Sequence, residues 1–480
     1  MSAAPYEMVV GLEVHVQLKT KSKAFCGCSA DFGAAPNANT CPICLALPGA
    51  LPVLNEKAVE LASRAALALG CTLNKVSVFA RKNYFYPDLP KGYQISQFDQ
   101  PLAVNGSLRI ETADGERSIG ITRVHMEEDA GKSLHDRYPG ETAIDLNRSG
   151  VPLIEIVSEP DMRSSAEAGA YLRTLRQILH YLRVSDVSME EGSLRVDANV
   201  SARPVGQKEL GTKTEVKNMN SFSGVERALD FEFARQCAIL DRGEKVSQQT
   251  LLWDAGKGEA RVSRTKEGSH DYRYFPEPDL LPLVLDPSWI NEITASIPEL
   301  PADRKKRIAE EYKLGPDDID QLTVTPSLAD YFESTARDSG DGKAAANWVM
   351  GEVLAAVNAS GTSVDALKVR PADLAQLIKM VREGLVSHAA GKKVFALMLE
   401  SGKPAAQVAH DAALLQVGDE TALAGWIDEV IAEHPDEAKR FMAGEKKLQG
   451  VLVGFVMKKS GGKADPKRVN QLLMSRAGGG

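Results

Sequence analysis

No stretch of this chain approaches the roughly 20 consecutive apolar residues that span a bilayer. Its opening, MSAAPYEMVVGLEVHV, has neither the basic, apolar and small-residue regions of a secretory signal nor the Arg-rich pattern of a transit peptide. The expected location is therefore the cytoplasm. An excess of positive charge is missing too. The chain has 57 Lys and Arg against 65 Asp and Glu, a net charge of −8, so any contact with RNA must come from local basic patches. A phosphate-binding P-loop is absent: HMEEDAGKS imitates one, but G-x-x-x-x-G-K-[ST] requires Gly where Met126 stands. No internal repeat is visible. With 43% apolar and 25% charged residues the composition is that of a soluble globular protein, and 480 residues exceed a single core, which predicts two to four domains.

Residues 1–293 mix strand and helix patterns. GLEVHVQL alternates, with Leu12, Val14, Val16 and Leu18 on one face and Glu13, His15 and Gln17 on the other. LRVDANVSA repeats the pattern, opposing Leu194, Val196, Ala198 and Val200 to Arg195, Asp197, Asn199 and Ser201, and TKTEVKN puts Lys213, Glu215 and Lys217 on one side. Strands of this kind build a sheet with helices packed on one face and a polar floor on the other. Two capping boxes, Ser164 with Glu167 and Ser223 with Glu226, predict the helices of the packing layer, the second stopping at Gly243. The Pro-rich YFPEPDLLPLVLDPS closes this region. An Ala-rich helical domain is expected over 294–404 and a separate helical tail over 405–480, giving an α+β domain followed by all-α domains.

Four of the six cysteines, Cys26, Cys28, Cys41 and Cys44, form C-x-C-x12-C-P-x-C. Thiolates two and three residues apart reach one tetrahedral Zn²⁺, and four of them leave no open position, so the expected zinc is structural. Glu13 and His15, two apart on a strand, project from one face about 6.5–7 Å apart and suit one divalent cation. An exposed polar strand would carry the same pair. VHMEEDAGKS concentrates His125, Glu127, Glu128, Asp129 and Lys132, and SMEEGSLRVDAN adds Glu190, Glu191 and Asp197. So many carboxylates repel one another unless a cation holds them, and Mg²⁺ bridging carboxylates to the phosphates of ATP is the chemistry they suit. Lys82 and Lys91 lie among Tyr84, Phe85, Tyr86 and Tyr93, a mixture able to stack bases and bind phosphate, and equally to cover a sheet. Finally, Lys446, Lys447, Lys458, Lys459, Lys463, Lys467 and Arg468 make the tail the most basic stretch of an acidic chain, and the helix start after Pro466 offers backbone N–H groups; both suit RNA phosphates.

In order along the chain, GLEVHVQL, CPICLALPGALPVLN, RKNYFYPDLPKGYQISQ, HMEEDAGKS, DLNRSGVPLIEIVSEPD, MEEGSLRVDANVS, TEVKNMNSF, HDYRYFPEPDL and GEKKLQGVLVGFVMKKSGGKADPKRVNQLL resemble the GatB family, the B subunits of tRNA-dependent amidotransferases. The related GatE subunit carries an inserted domain that this chain lacks. The resemblance implies a catalytic cradle domain, a helical domain and a YqeY-like, tRNA-binding tail. It implies that ATP phosphorylates the side-chain carboxylate of Glu-tRNA(Gln), Asp-tRNA(Asn) or both, and that ammonia then displaces phosphate. By similarity Glu13, His15, Glu127 and Glu128 lie nearest Mg²⁺, Glu190 and Asp197 join the catalytic set, and Lys82, Tyr84 and Lys91 line the ammonia route. Neither a Gly-Gly-Ser-Ser-Gly amidase signature nor a Cys–His–Asp/Glu glutaminase pattern is present, so the resemblance implies partners: GatA to release ammonia from glutamine and GatC to wrap both. Two other readings are an ATP-dependent ligase acting on a free amino acid, which needs no basic tail, and a non-catalytic zinc and RNA-binding module, whose acidic floor would repel RNA.

Overall fold

The computed structural model describes residues 6–265, 272–416 and 420–477. Of HDYRYFPEPDL, His270 and Asp271 lie outside that set, as does the terminal 478–480. The chain divides into two compact units, one ending at Pro301 and the other beginning at Ala302.

The first unit is built on a nine-stranded sheet. In chain order its strands are β1 (Tyr6–Gln17), β2 (Thr72–Leu73), β3 (Ala103–Thr112), β4 (Gly115–Glu128), β5 (Pro152–Ser158), β6 (Leu194–Pro204), β7 (Thr214–Lys217), β8 (Gln249–Asp254) and β9 (Glu259–Thr265). Their spatial order is 9-8-7-6-1-5-4-3-2, so β1 lies between β6 and β5, and all pairs are antiparallel except β7 with β8. Strand alternation does what the sequence predicts. Val10, Leu12, Val14 and Val16 of β1, Ile154 and Ile156 of β5, and Val196, Ala198 and Val200 of β6 are buried in one core. Three helices contribute to that core: α1 (Glu56–Ala68), α2 (Ser165–Tyr181) and α3 (Phe222–Asp241). The opposite face is left to the polar side chains.

The helix starts follow from their caps. Ser164 Oγ accepts from Glu167 N, and Glu167 Oε2 accepts from Arg163 N, which fixes the first turn of α2. The second cap differs from expectation: Ser221, not Ser223, is extended and accepts from Gly224 N, so α3 starts earlier than a cap at Ser223 allows. Gly243 (φ +74°) follows the C-cap of α3 as expected.

The domain boundaries shift for packing reasons. Helix Pro287–Ala295 and the residues after it place Trp289, Ile290, Ile297 and Leu300 on the sheet-domain core, so that unit runs past 293. Within the second unit one core gathers helices from Ile308 to Ala409, including Ala405 and Val408, while another starts at Leu423. The helix Ala405–Asp411, expected in the tail, thus belongs to the first of these cores.

One glycine of the sheet is dictated by space. A Cβ on Gly106, in β3, would lie 2.3 Å from Cys71 Sγ and 2.8 Å from Leu69 O. Gly106→Ala should therefore overpack the core and lower stability by about 1–3 kcal/mol. A urea midpoint unchanged from the parent chain would show that the α1–β2 connection yields freely.

Candidate functional site

Register decides which polar residues meet. On the polar face His15 of β1 pairs with Glu155 of β5, which pairs with His125 of β4; on its other side His15 pairs with Arg195 of β6. Two residues along β1, Glu13 pairs with Asp197 of β6. Side chains directly opposite across strands lie about 4.5–5.5 Å apart at Cβ, nearer than neighbours i and i+2 on one strand. The structure accordingly separates Glu13 from His15. His15 joins Glu127 and Glu155 in one cluster and Glu13 joins Asp197 and Glu215 in another, each with ligand atoms within 4.8 Å of one another.

In the first cluster, His15 Nε2 lies 3.2 Å from Glu155 Oε2. His125 Nε2 lies 3.3 Å from Glu127 Oε1 and 3.5 Å from Glu155 Oε2. His125 Nδ1 accepts from Arg123 Nε at 3.3 Å, which assigns the ring proton to Nε2 and makes His125 the donor to both carboxylates. Ser96 Oγ and Gln94 Nε2 also donate to Glu127. Burial works to raise the pKa of Glu127, but the Lys82 ammonium 3.9 Å away and the His125 hydrogen bond outweigh it and hold it at about 2. Glu155 is under the same opposition: burial pushes it up, His125 and His15 more strongly down, and it rests well below the usual carboxylate range. Both carboxylates are thus anions in a nearly dry site, the state a hard cation requires of its ligands. In the second cluster Asn199 Nδ2 donates to Glu13 Oε1 at 3.0 Å, and the Lys217 ammonium bonds Asp197 and lies 3.3 Å from Glu215 Oε1.

A cleft of about 360 Å³ borders these residues, lined by His15, Glu127 and Asp197 on the acidic side, by Lys82, Arg148 and Arg195 as cations, and by Tyr84, Tyr86 and Tyr272. Lys82 lies on the central strand of a small three-stranded sheet (Ala80–Asn83, flanked by Tyr93–Ser96 and Phe275–Pro276), and Tyr84 directly follows that strand. Tyr84 Oη bonds Gln94 Oε1 at 3.2 Å, and Lys82 Nζ stands 5.2 Å from the Tyr272 ring centre.

Four of the expected features stand apart from these clusters. Glu128 leaves the cation cluster: it ends β4, pairs with Lys91 and accepts from Ile95 N, facing a different cavity that Cys26 and Cys44 also line. Lys91 goes with it and lines that cavity, whereas Lys82 and Tyr84 line the cleft. Glu190 lies in the turn before β6, outside both clusters. The amides after Pro466 are already occupied, because Asp465 Oδ1 accepts from Lys467 N and Arg468 N. The residues missed are Glu155 and, as a ligand candidate, Glu215. Their signal was a lone Glu in the apolar PLIEIVS and in TEVK: a carboxylate buried in a strand must have a partner.

The four cysteines converge. Cys44 Sγ lies 3.4 Å from Cys26 Sγ and 3.7 Å from those of Cys28 and Cys41. A tetrahedron with metal–sulfur bonds of about 2.3 Å has edges of about 3.8 Å, so the donor set fits a tetrathiolate metal site. In the tail all seven basic residues are exposed. Lys459 pairs with Glu429 and Glu433 and Arg468 with Glu420, whereas Lys446, Lys447, Lys458, Lys463 and Lys467 form no ion pair among the described residues. No helix among those residues is long and apolar enough to cross a membrane.

Fold and cleft together define a catalytic-type domain, an acid-lined sheet beneath a cationic and aromatic cleft, followed by a helical unit. A family model described as the GatB/GatE catalytic domain matches residues 8–291, and one described as the GatB domain matches residues 330–476. Proteins named as the B subunit of an aspartyl/glutamyl-tRNA(Asn/Gln) amidotransferase are similar throughout. That of Pelodictyon phaeoclathratiforme is 52% identical over 474 residues, 99% of this chain and 100% of its own length. That of Moorella thermoacetica is 52% identical over 473 residues, 98% of this chain and 99% of its own length. The chain belongs to the GatB family, the B subunits of tRNA-dependent amidotransferases, which are enzymes of the ligase class.

His125 serves both buried anions of the first cluster, so His125→Ala should destabilise the metal-free chain by on the order of 3 kcal/mol, the penalty for stranding charged acceptors. Added Mn²⁺ should then raise the melting temperature more in the variant than in the parent. Equal Mn²⁺ responses in the two would mean that Glu127 and Glu155 do not bind the ion.

Proposed function

We propose that this chain catalyses the ATP-dependent transamidation of Glu-tRNA(Gln), Asp-tRNA(Asn) or both. It would phosphorylate the side-chain carboxylate, after which ammonia released by a GatA glutaminase displaces phosphate, with GatC holding the pair together. The observation that carries this reading is the two carboxylate clusters set side by side along one cleft. A carboxylate cannot expel oxide, so amide formation needs an activated acyl group, and phosphoryl transfer needs the charge of the phosphates balanced on both sides. The His15, Glu127, Glu155 and Glu13, Asp197, Glu215 sets supply oxygen and nitrogen ligands for two divalent cations. Bound Mg²⁺ would neutralise phosphate charge during the transfer. Arg148 and Arg195, both held by Asp129 (Arg195 at 3.0 Å, Arg148 at 3.5 Å), line the same cleft, where phosphate oxygens would lie. Lys82 and Tyr84 line the approach for ammonia.

The four cysteines would hold a structural Zn²⁺, and the unpaired lysines of the tail would bind tRNA phosphates. The domain plan that goes with this reading is a catalytic cradle, a helical domain and a YqeY-like tail whose core starts near Leu423.

Two outcomes test the proposal. The isolated chain should amidate Glu-tRNA(Gln) with ATP and ammonium salts but not with glutamine, and gain glutamine use on adding GatA and GatC. Amidation of free glutamate at the same rate as Glu-tRNA(Gln) would identify a small-molecule ligase instead. Ending the chain at residue 416 should weaken tRNA binding and flatten its dependence on salt by roughly 0.9 in log–log slope for each phosphate no longer neutralised. Unchanged affinity and slope would return the lysines to the role of a solvated face.

A further inference from the structure

Lys23 has side chain and ammonium almost wholly enclosed, 1% exposed. A buried ammonium is costly unless its three N–H donors and its charge are met. Its donors go to Asn39 O at 2.7 Å, Leu146 O at 3.2 Å and Cys44 Sγ at 3.4 Å. Two are neutral carbonyls, and Lys23 forms no ion pair with a carboxylate among the described residues. The third is the Cys44 sulfur, anionic when it ligates a metal. A tetrathiolate holding Zn²⁺ carries a net charge of −2, and one buried ammonium halves it.

The same ammonium bonds the segment that carries Arg148 into the cleft. The cysteine loop is laced to the segment 144–150: Asn37 N bonds Asp145 Oδ1, Asn37 Nδ2 bonds Ile144 O, Leu146 N bonds Asn37 Oδ1, and Asn39 N bonds Asn147 Oδ1. Ala24 N donates to Gly150 O, and Gly150 N donates to Asp129 O. Within that segment Arg148 donates to Ala130 O and Gly131 O and faces Asp129 in the cleft.

We propose that Lys23 is a positioning residue that joins the tetrathiolate centre to the cleft: its ammonium balances the Cys44 thiolate, and its bond to Leu146 O fixes the segment that aims Arg148 at Asp129. This rests on the reading of the four cysteines as a zinc site. Removing the metal releases the sulfur that Lys23 Nζ bonds and loosens 144–150 while the sheet and its helical layer stand.

The test uses the full chain. Metal analysis of the parent should find about one zinc per chain; finding none would overturn the zinc reading itself. In zinc-loaded Lys23→Met, transfer of zinc to a chromogenic chelator should be about ten- to a hundredfold faster than in the parent, the usual scale for losing a group that supports a metal ligand. Lys19→Met, which removes only an exposed ion pair with Asp186, should match the parent. In the cobalt(II)-substituted protein, Lys23→Met should shift the cobalt–thiolate absorption, which a merely space-filling lysine would not do. If Lys23→Met does not fold, the parent decides: stripping its zinc should speed amide hydrogen exchange at Leu146 and Gly150 about tenfold or more and leave Leu175 in α2 unchanged. Parent-like zinc release and cobalt absorption in Lys23→Met, or unchanged exchange at Leu146 and Gly150 after stripping, would overturn the role of Lys23 while leaving the zinc site in place.

Discussion

Everything in the cleft depends on the antiparallel register of one strand, β1, with its two neighbours. Because side chains alternate with a period of two, a slip of one residue would send Glu13 and His15 into the hydrocarbon core and bring Leu12 and Val14 out. The core residues Leu12, Val14 and Val16, each no more than 1% exposed, make that slip prohibitive. The cost of burying the wrong residues is therefore what aligns Arg195, His15, Glu155 and His125 in one row across four strands. Packing on one face of the sheet specifies the chemistry on the other.

That division also explains how charge is tolerated at such density. Carboxylates directly opposite one another, as Glu13 and Asp197 are, destabilise a sheet unless cations intervene. The protein meets such crowding locally: the His125 Nε2 lies between Glu127 and Glu155, the Lys217 ammonium between Asp197 and Glu215, and two arginines share Asp129. His15 and Glu127 of the first cluster and Asp197 of the second line the same cleft. Arg195 comes from β6 of the large sheet itself, whereas Lys82, Arg148 and the aromatic rings come from outside it, on the small sheet and its flanks and on the loop that carries Arg148.

The alternating strands, the polar floor, the helical second half and the cysteine cluster were all legible in the sequence, because each rests on spacing along the chain. What was not legible rests on distance across it. Glu13 and His15 look like a pair at i and i+2, yet each faces a residue from a distant part of the chain, Asp197 opposite Glu13 and Glu155 opposite His15. Glu128 looked like part of the acidic cluster from its neighbours, but β4 ends there and its side chain turns to Lys91. Glu155 was hidden in an apolar strand whose composition announces a core.

The central claim is that two separate cation sites, one on each cluster, border one cleft. The direct test is the stoichiometry of Mn²⁺ binding in the parent, in Glu155→Gln and in Glu215→Gln, read by the paramagnetic resonance of free Mn²⁺ with a non-hydrolysable ATP analogue present. The account predicts two ions for the parent and one for each variant, with a different site lost in each. A parent that binds a single ion, or one variant that loses both while the other loses none, would contradict it.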